Sequence, residues 1–185
     1  WNEYTPLGRA EWIKFIALFY NAEAEAADAF DFIEHEYSRL QGLTADIEYK
    51  PTVFTNAPYQ GTWTVPGGKS FAAAFLTDAG GEYLWSNDSS TGSLFLDFES
   101  VFEKAQHADF WVNLAYGWTS KEDILAADER FGQFDAVIYG NCYNNNKRVS
   151  PGGGYDYFES GVANPQRILA DLITIFYPEL LPNHE

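Results

Sequence analysis

Large aromatic side chains are concentrated in the segments that follow the short apolar runs of this sequence. Those segments also carry several asparagines. The residues are Tyr59, Trp63, Trp85, Asn113, Tyr116, Trp118, Asn141, Tyr143, Asn144, Tyr155 and Tyr157. Apolar walls with a few amide groups suit the noncovalent recognition of a bulky ligand, and they supply neither a nucleophile nor a general base. The sequence therefore favours a binding site over an active site.

The residue types that catalysis requires are not placed where a catalytic site would form. The three histidines, His35, His107 and His184, fall on a polar helix face, near a helix end and at the chain terminus. A general base would instead be expected in a loop at the end of a strand. No histidine and carboxylate pair has the spacing of metal ligands. We therefore expect no enzymatic activity, no cofactor and no metal site.

Two nucleotide-binding motifs are incomplete. The segment GGKS (residues 67–70) matches the end of a phosphate-binding loop, but that motif needs a glycine where Trp63 stands. We interpret GGKS as a turn that begins a helix. No Gly-x-Gly-x-x-Gly follows the first predicted strand, so a dinucleotide site is not predicted either.

The charge balance excludes nucleic acid as a partner. The 185 residues include 27 acidic and 11 basic ones, for a net charge of -16. A phosphate backbone is repelled by such a field, and the longest basic run is Lys147-Arg148. The chain length suits one domain, and the single cysteine, Cys142, allows no internal disulfide.

Alternating strands and helices must position the aromatic segments. Residues 51–55, 82–84, 109–114 and 135–139 are predicted strands, and each is followed by a helix. This alternation is typical of βαβ units. It predicts an α/β fold with an open, mostly parallel sheet of four or slightly more strands and helices on both faces. Ligands of such sheets bind beyond the carboxyl ends of the strands, where the aromatic segments begin.

Two further helices precede the sheet. Thr5-Pro6 is a typical helix start, and residues 7–20 are apolar on more than one face, which predicts burial on several sides. Residues 22–40 are predicted to form a helix with one apolar stripe, and Gly42 is expected to end this helix. The chain contains no methionine and opens on Trp1, so we expect a processed protein or a part of a longer one.

Seven segments in order resemble the carboxyl-terminal half of the class III periplasmic binding proteins, which serve ABC importers of iron-siderophores, haem and vitamin B12. They are PLGRAEWI (6–13), KPTV (50–53), GKSF (68–71), DAGGEYLW (78–85), FESVF (98–102), ADFWV (108–112) and NPQRIL (164–169). The likeness extends over nearly the whole chain.

The resemblance implies one lobe of a two-lobed receptor that holds its ligand between the lobes. Residues 1–45 would then be part of the helix that connects the lobes and the helix after it, and residues 46–185 would form the ligand-binding lobe, within a single compact domain. Family members present one exposed glutamate per lobe to arginines of the membrane permease. The matching position here is Glu99 at the start of a helix capped by Asp97.

The resemblance also implies the ligand class and the partners. The expected ligand is an iron chelate or a similar bulky complex, with a corrinoid or haem as the alternative, and haem would need an axial ligand such as Tyr59 or Tyr143. The residues expected to contact the ligand are Tyr59, Trp63, Trp85, Trp118, Asn141, Tyr143 and Tyr157. We expect a monomeric periplasmic receptor, anchored as a lipoprotein in its full-length form, that docks on an ABC permease. The rival interpretation is a Rossmann-like enzyme with its site in residues 141–157.

Overall fold

The computed structural model describes residues 3 to 184, so residues 1, 2 and 185 at the ends of the predicted domains lie outside it. The helices in chain order are α1 (Pro6–Ala17), α2 (Glu23–Thr44), α3 (Phe71–Asp78), α4 (Phe98–Ala105), α5 (Lys121–Ala127), α6 (Asp135–Tyr139), α7 (Ser160–Ala163) and α8 (Pro165–Phe176). The strands are β1 (Thr52–Thr55), β2 (Pro58–Tyr59), β3 (Thr62–Pro66), β4 (Glu82–Tyr83), β5 (Ser93–Leu96), β6 (Phe110–Val112) and β7 (Cys142–Tyr143). None of the helices in residues 3 to 184 combines the length and the apolar character that a membrane span requires.

A parallel four-stranded sheet lies at the centre, in the order β4-β1-β6-β7. Val53 of β1 pairs with Tyr83 on one side and with Phe110 on the other. Helices flank the sheet: α2 and α3 pack against α8, and α6 packs against β6. The predicted α/β class with a parallel sheet is therefore confirmed.

The fourth strand is not where the sequence placed it. Residues 135–139 form α6, and the strand that pairs with β6 is β7, a few residues later. The four apolar residues from Ala136 to Tyr139 fit a strand or a helix turn equally well. Gly140 decides between them, because its left-handed φ of 82° closes α6 and redirects the chain into β7.

The segment predicted as one aromatic loop, residues 56–67, contains two strands of a second sheet. β2 and β3 form a hairpin, and β3 pairs antiparallel with β5. The turn between β2 and β3 places Gln60 and Gly61 at positive φ, which is the two-residue hairpin geometry. Along β3, Trp63 and Val65 are buried while Thr62 is exposed. The alternation in TWTV was the sequence signal for this strand.

One hydrophobic core joins the sheets and the helices, from Tyr37 of α2 to Tyr177 after α8. α1 joins α2 through a separate small cluster of Ala10, Phe30 and Ile33. Only Pro6, Ala10 and Ala17 of α1 are buried. The predicted burial of α1 on several sides is thus not met within residues 3 to 184, and most of its apolar face is open.

Candidate functional site

A cavity of about 710 Å³ opens at the carboxyl edge of the parallel sheet. Val112 and Asn113 line it at the end of β6, and Tyr143 and Asn144 line it at the end of β7. Its other walls come from α3, from residues 147–161 and from α8. Volumes of roughly 300 to 1,000 Å³ are typical of small-molecule sites. The position agrees with the rule that open α/β sheets bind ligands beyond their strand ends.

Two of the seven residues expected to contact ligand line this cavity. Tyr143, on β7, is 39% exposed, and Tyr157 is half-buried in the short helical turn Asp156–Phe158. Burial raises the pKa of Tyr157 to about 12, although a hydrogen bond with Asn113 and the charge of Arg9 act in the opposite direction. Tyr157 is therefore a neutral phenol at neutral pH and can donate a hydrogen bond.

Trp63 and Trp85 belong to the core, so the predicted aromatic wall must be corrected at both positions. Trp63 is 0% exposed, and its Nε1 donates to the carbonyl of Thr55 at 3.1 Å. Trp85 is buried beside Tyr83, with the ammonium of Lys104 over its ring at 5.4 Å. Neither side chain reaches the cavity.

The other three predicted contacts do not line the cavity either. Tyr59 is 77% exposed on β2, on the second sheet. Trp118 is half-buried, and its carbonyl accepts hydrogen bonds from Asn144 and Asn146. Asn141 precedes β7, so it lies at the amino edge of the sheet, where it donates to the carbonyl of Asp109. It lines a second hollow of about 520 Å³ at that opposite edge.

Basic side chains in the cavity are the main feature that the sequence reasoning missed. Lys147, Arg148 and Arg167 line it, although the chain has only 11 basic residues. Arg148 is paired with Asp156 at 3.2 Å. Among residues 3 to 184, no carboxylate lies within salt-bridge distance of Lys147 or Arg167. The available signal was Lys147-Arg148 itself, a basic pair in the loop after the last strand of an acidic chain.

One histidine and one aspartate form a further pair at the cavity wall. His184, predicted at a loose terminus, lies with Nε2 2.6 Å from Oδ1 of Asp171 on α8, and both residues line the cavity. Cys142 on β7 is not a lining residue of the cavity. Burial raises its pKa to about 11, so at neutral pH this side chain is a thiol that donates to the carbonyl of Ala136. No group of three or more metal-ligating side chains is found in the described part of the chain.

The GGKS segment is held as a turn by the loop formed by residues 85–92. The amides of Gly67 and Lys69 donate to the carbonyls of Gly92 and Ser90, at 2.8 and 3.0 Å. A side chain on Gly67 or Gly68 would collide with this loop. Ser70 accepts from the amide of Ala73 and so caps α3. The interpretation of GGKS as a helix-starting turn agrees with this geometry, because these amides are already occupied.

Glu99 lies in the first turn of α4, whose N-cap is Asp97 as predicted, and its side chain is 77% exposed. α4 leads directly into β6, so its carboxyl end lies near the beginning of that strand. Its amino end, with Glu99, therefore points towards the carboxyl edge of the sheet, the edge that holds the cavity.

Comparison with known proteins supports the sequence resemblance. The family model described as periplasmic binding protein matches residues 2–148. An uncharacterized lipoprotein of Methanocaldococcus jannaschii is 31% identical over 183 residues, which are 96% of this chain and 41% of that protein. The chain thus spans about two-fifths of the length of this relative.

Solved structures show the same fold. A possible iron-binding (periplasmic solute-binding) protein of Staphylococcus epidermidis superposes with a TM-score of 0.70 at 16% identity, over 95% of this chain and 64% of that one. IsdE of S. aureus, solved in complex with haem, gives 0.66 at 16% identity, over 94% of this chain and 66% of that one. With the family match covering most of the sequence, the chain belongs to the periplasmic binding protein family, in the class III type that its motifs resemble.

Proposed function

We propose that this chain is the carboxyl-terminal lobe of the substrate-binding component of an ABC importer. Its ligand would be an iron chelate or a similar bulky complex, held against the carboxyl edge of the sheet and delivered to the membrane permease. The receptor would act outside the cytoplasm as a monomer, with a lipid anchor in the full-length form, and without turning its ligand over. A relative named as a lipoprotein supports this location.

The observation that carries this proposal is the charge in the cavity. Lys147 and Arg167 line this 710 Å³ space and have no carboxylate partner among residues 3 to 184, in a chain of net charge -16. Unpaired cations beside an apolar floor of Phe75, Leu76 and Leu172 suit a large ligand that carries negative charge. Within the chelates expected from the sequence, we therefore favour an anionic one.

The open face of α1 supports the assignment to one lobe of a larger receptor. Trp12, Phe15 and Phe19 form an edge-to-face ladder with centroid distances of 5.4 and 5.5 Å, and all three are exposed. Large contiguous apolar surfaces of soluble proteins usually contact another protein surface. In the proposed receptor the other lobe would cover this face.

Haem is the alternative ligand. Tyr143 is an exposed phenol at the cavity wall and could serve as an axial ligand, whereas Tyr59 lies outside the cavity. The solved neighbour in complex with haem shows that a protein of this fold holds that ligand.

A binding screen of the full-length protein tests the function. Intrinsic tryptophan fluorescence would be titrated with an anionic ferric tricatecholate, a neutral ferric hydroxamate, haem and a corrinoid, and the mixtures would be analysed by mass spectrometry for turnover. We expect saturable quenching by one class, strongest for the anionic chelate, and unchanged ligand after incubation. Consumption of a ligand would favour an enzyme, with residues 141–157 as the first segment to test.

Glu99 is the proposed docking residue for an arginine of the permease. Glu99→Gln in the full-length receptor should weaken binding to the permease in nanodiscs about tenfold, because one charge contact of about 1.4 kcal/mol is lost. Ligand affinity should stay the same, since Glu99 does not line the cavity.

The matched control is Glu103→Gln, one turn further along α4 and also exposed. This substitution makes the same change in net charge but alters no residue in the first turn of α4. Equal weakening by both variants, or wild-type docking by Glu99→Gln, would rule out the assignment.

A further inference from the structure

The surface around Glu99 contains a second charged group that neither the sequence nor the family comparison assigns. Oε1 of Glu99 lies 3.6 Å from Nη1 of Arg130. Arg130 belongs to the helical turn Glu129–Gln133, which follows α5. The contact therefore joins the first turn of α4 to a separate element of the fold.

Arg130 is held in place by groups other than Glu99. Its Nε lies 3.1 Å from both carboxylate oxygens of Asp128, and its Nη2 lies 2.7 Å from Oδ2 of the same residue. Its guanidinium carbon lies 4.0 Å from the centroid of the Phe98 ring. A guanidinium that is already held by a carboxylate and by the face of an aromatic ring has little side-chain freedom left. It therefore loses little conformational entropy when it binds another acceptor. Nη1 is the nitrogen that remains directed at Glu99.

We propose that Arg130 is a positioning residue of the docking surface, which holds Glu99 in the free receptor and competes with the permease cation for it. The inference rests on the proposed docking role of Glu99. An incoming arginine must share Glu99 with Arg130, so the ion pair of the free receptor competes with docking. Arg130 thereby weakens docking and favours release of the receptor after delivery.

The size of the effect follows from the exposure of the pair. Two unit charges at about 4 Å interact by about 1 kcal/mol in water, which corresponds to about a fivefold change in affinity. Salt screens exposed charges, so the effect should shrink at high ionic strength. Arg130→Gln removes the charge and keeps an amide that can still donate to Asp128.

The test is a double-mutant cycle in the full-length receptor, with the dissociation constant for its cognate ABC permease in nanodiscs measured at low and high salt. The variants are Glu99→Gln, Arg130→Gln and both together. The matched control is Arg39→Gln, which removes an arginine paired with Glu36 on the distant helix α2. Arg130→Gln should bind the permease about fivefold more tightly at low salt, and Arg39→Gln should match the wild type.

The double variant should bind no more tightly than Glu99→Gln alone, because Arg130 acts through Glu99. This coupling separates a positioning role from a general change in charge or stability. If Glu99→Gln docks like the wild type, the docking assignment itself fails. If Glu99→Gln weakens docking but Arg130→Gln leaves it unchanged or weakens it, the role of Arg130 is refuted while that of Glu99 stands.

Discussion

Replacing Trp63 with alanine should lower the free energy of unfolding by about 4 kcal/mol, the range observed for large aromatic residues removed from a packed core. Trp63 is fully buried, and its indole donates to the carbonyl of Thr55. Four aromatic rings surround it at centroid distances of 5.5 to 6.1 Å: Phe54, Trp111, Phe131 and Phe134. The substitution would leave a large cavity at the junction of the two sheets and an unpaired buried carbonyl. Urea unfolding followed by circular dichroism measures the change.

The matched control is Tyr59→Ala, on the neighbouring strand of the same hairpin. Tyr59 is 77% exposed, so its loss should change stability by no more than about 0.5 kcal/mol. If the alanine variant of Trp63 does not fold, Trp63→Phe keeps most of the ring and should cost about 1 to 3 kcal/mol, mainly for the unpaired carbonyl. A Trp63→Ala variant as stable as Tyr59→Ala would show that the indole is not in the core.

The second large effect concerns the cations of the cavity. Reversing the charge of Arg167 to glutamate should weaken binding of an anionic ferric chelate about tenfold, and the double variant Lys147→Glu with Arg167→Glu should weaken it about a hundredfold. Each reversal replaces an attraction with a repulsion, at about 1.4 kcal/mol per side chain. Fluorescence titration of the full-length receptor measures the affinity.

Two comparisons isolate the cause of that loss. Lys50→Glu makes the same charge change just before β1, at the edge opposite the cavity, and should leave affinity within about twofold. A neutral ferric hydroxamate should bind both cavity variants nearly as it binds the wild type. Loss of the neutral and the anionic ligand together would point to a collapsed cavity, and retained binding of the anionic chelate would remove these cations from the site.

Several features of the fold could be predicted because they depend on neighbouring residues in the sequence. Thr5 and Asp97 accept hydrogen bonds from amides three residues later, so a capping residue before an apolar stripe was sufficient to locate α1 and α4. The first strand and the parallel pairing follow from alternation of strand and helix. The single mistaken strand, at residues 135–139, was a short apolar run that local pattern cannot resolve.

The content of the site depended on contacts between distant segments. From the sequence, Trp63 is interpreted as an aromatic residue of a loop. In the structure β3 pairs with β5, and this pairing directs the Trp63 side chain into the core. Asn141 was placed at the wrong edge because the strand it was thought to follow is a helix and the real strand begins after it. From the sequence, Arg167 is only a basic residue at a helix start. The packing of α8 against α2 and α3 brings it to the cavity.

The sequence alone determined the α/β class, the capped helices and the family. The class follows from the period of the apolar residues, the caps from local hydrogen bonding, and the family from the order of the motifs. The tertiary structure alone decided which aromatic side chains are buried, which cations have no carboxylate partner in the described part of the chain, and which group contacts Glu99. The direction of a side chain and the charges around it depend on strand pairing and helix packing between residues far apart in the chain. That is why Tyr143 and Tyr157 line the cavity while Trp63 and Trp85 are buried in the core.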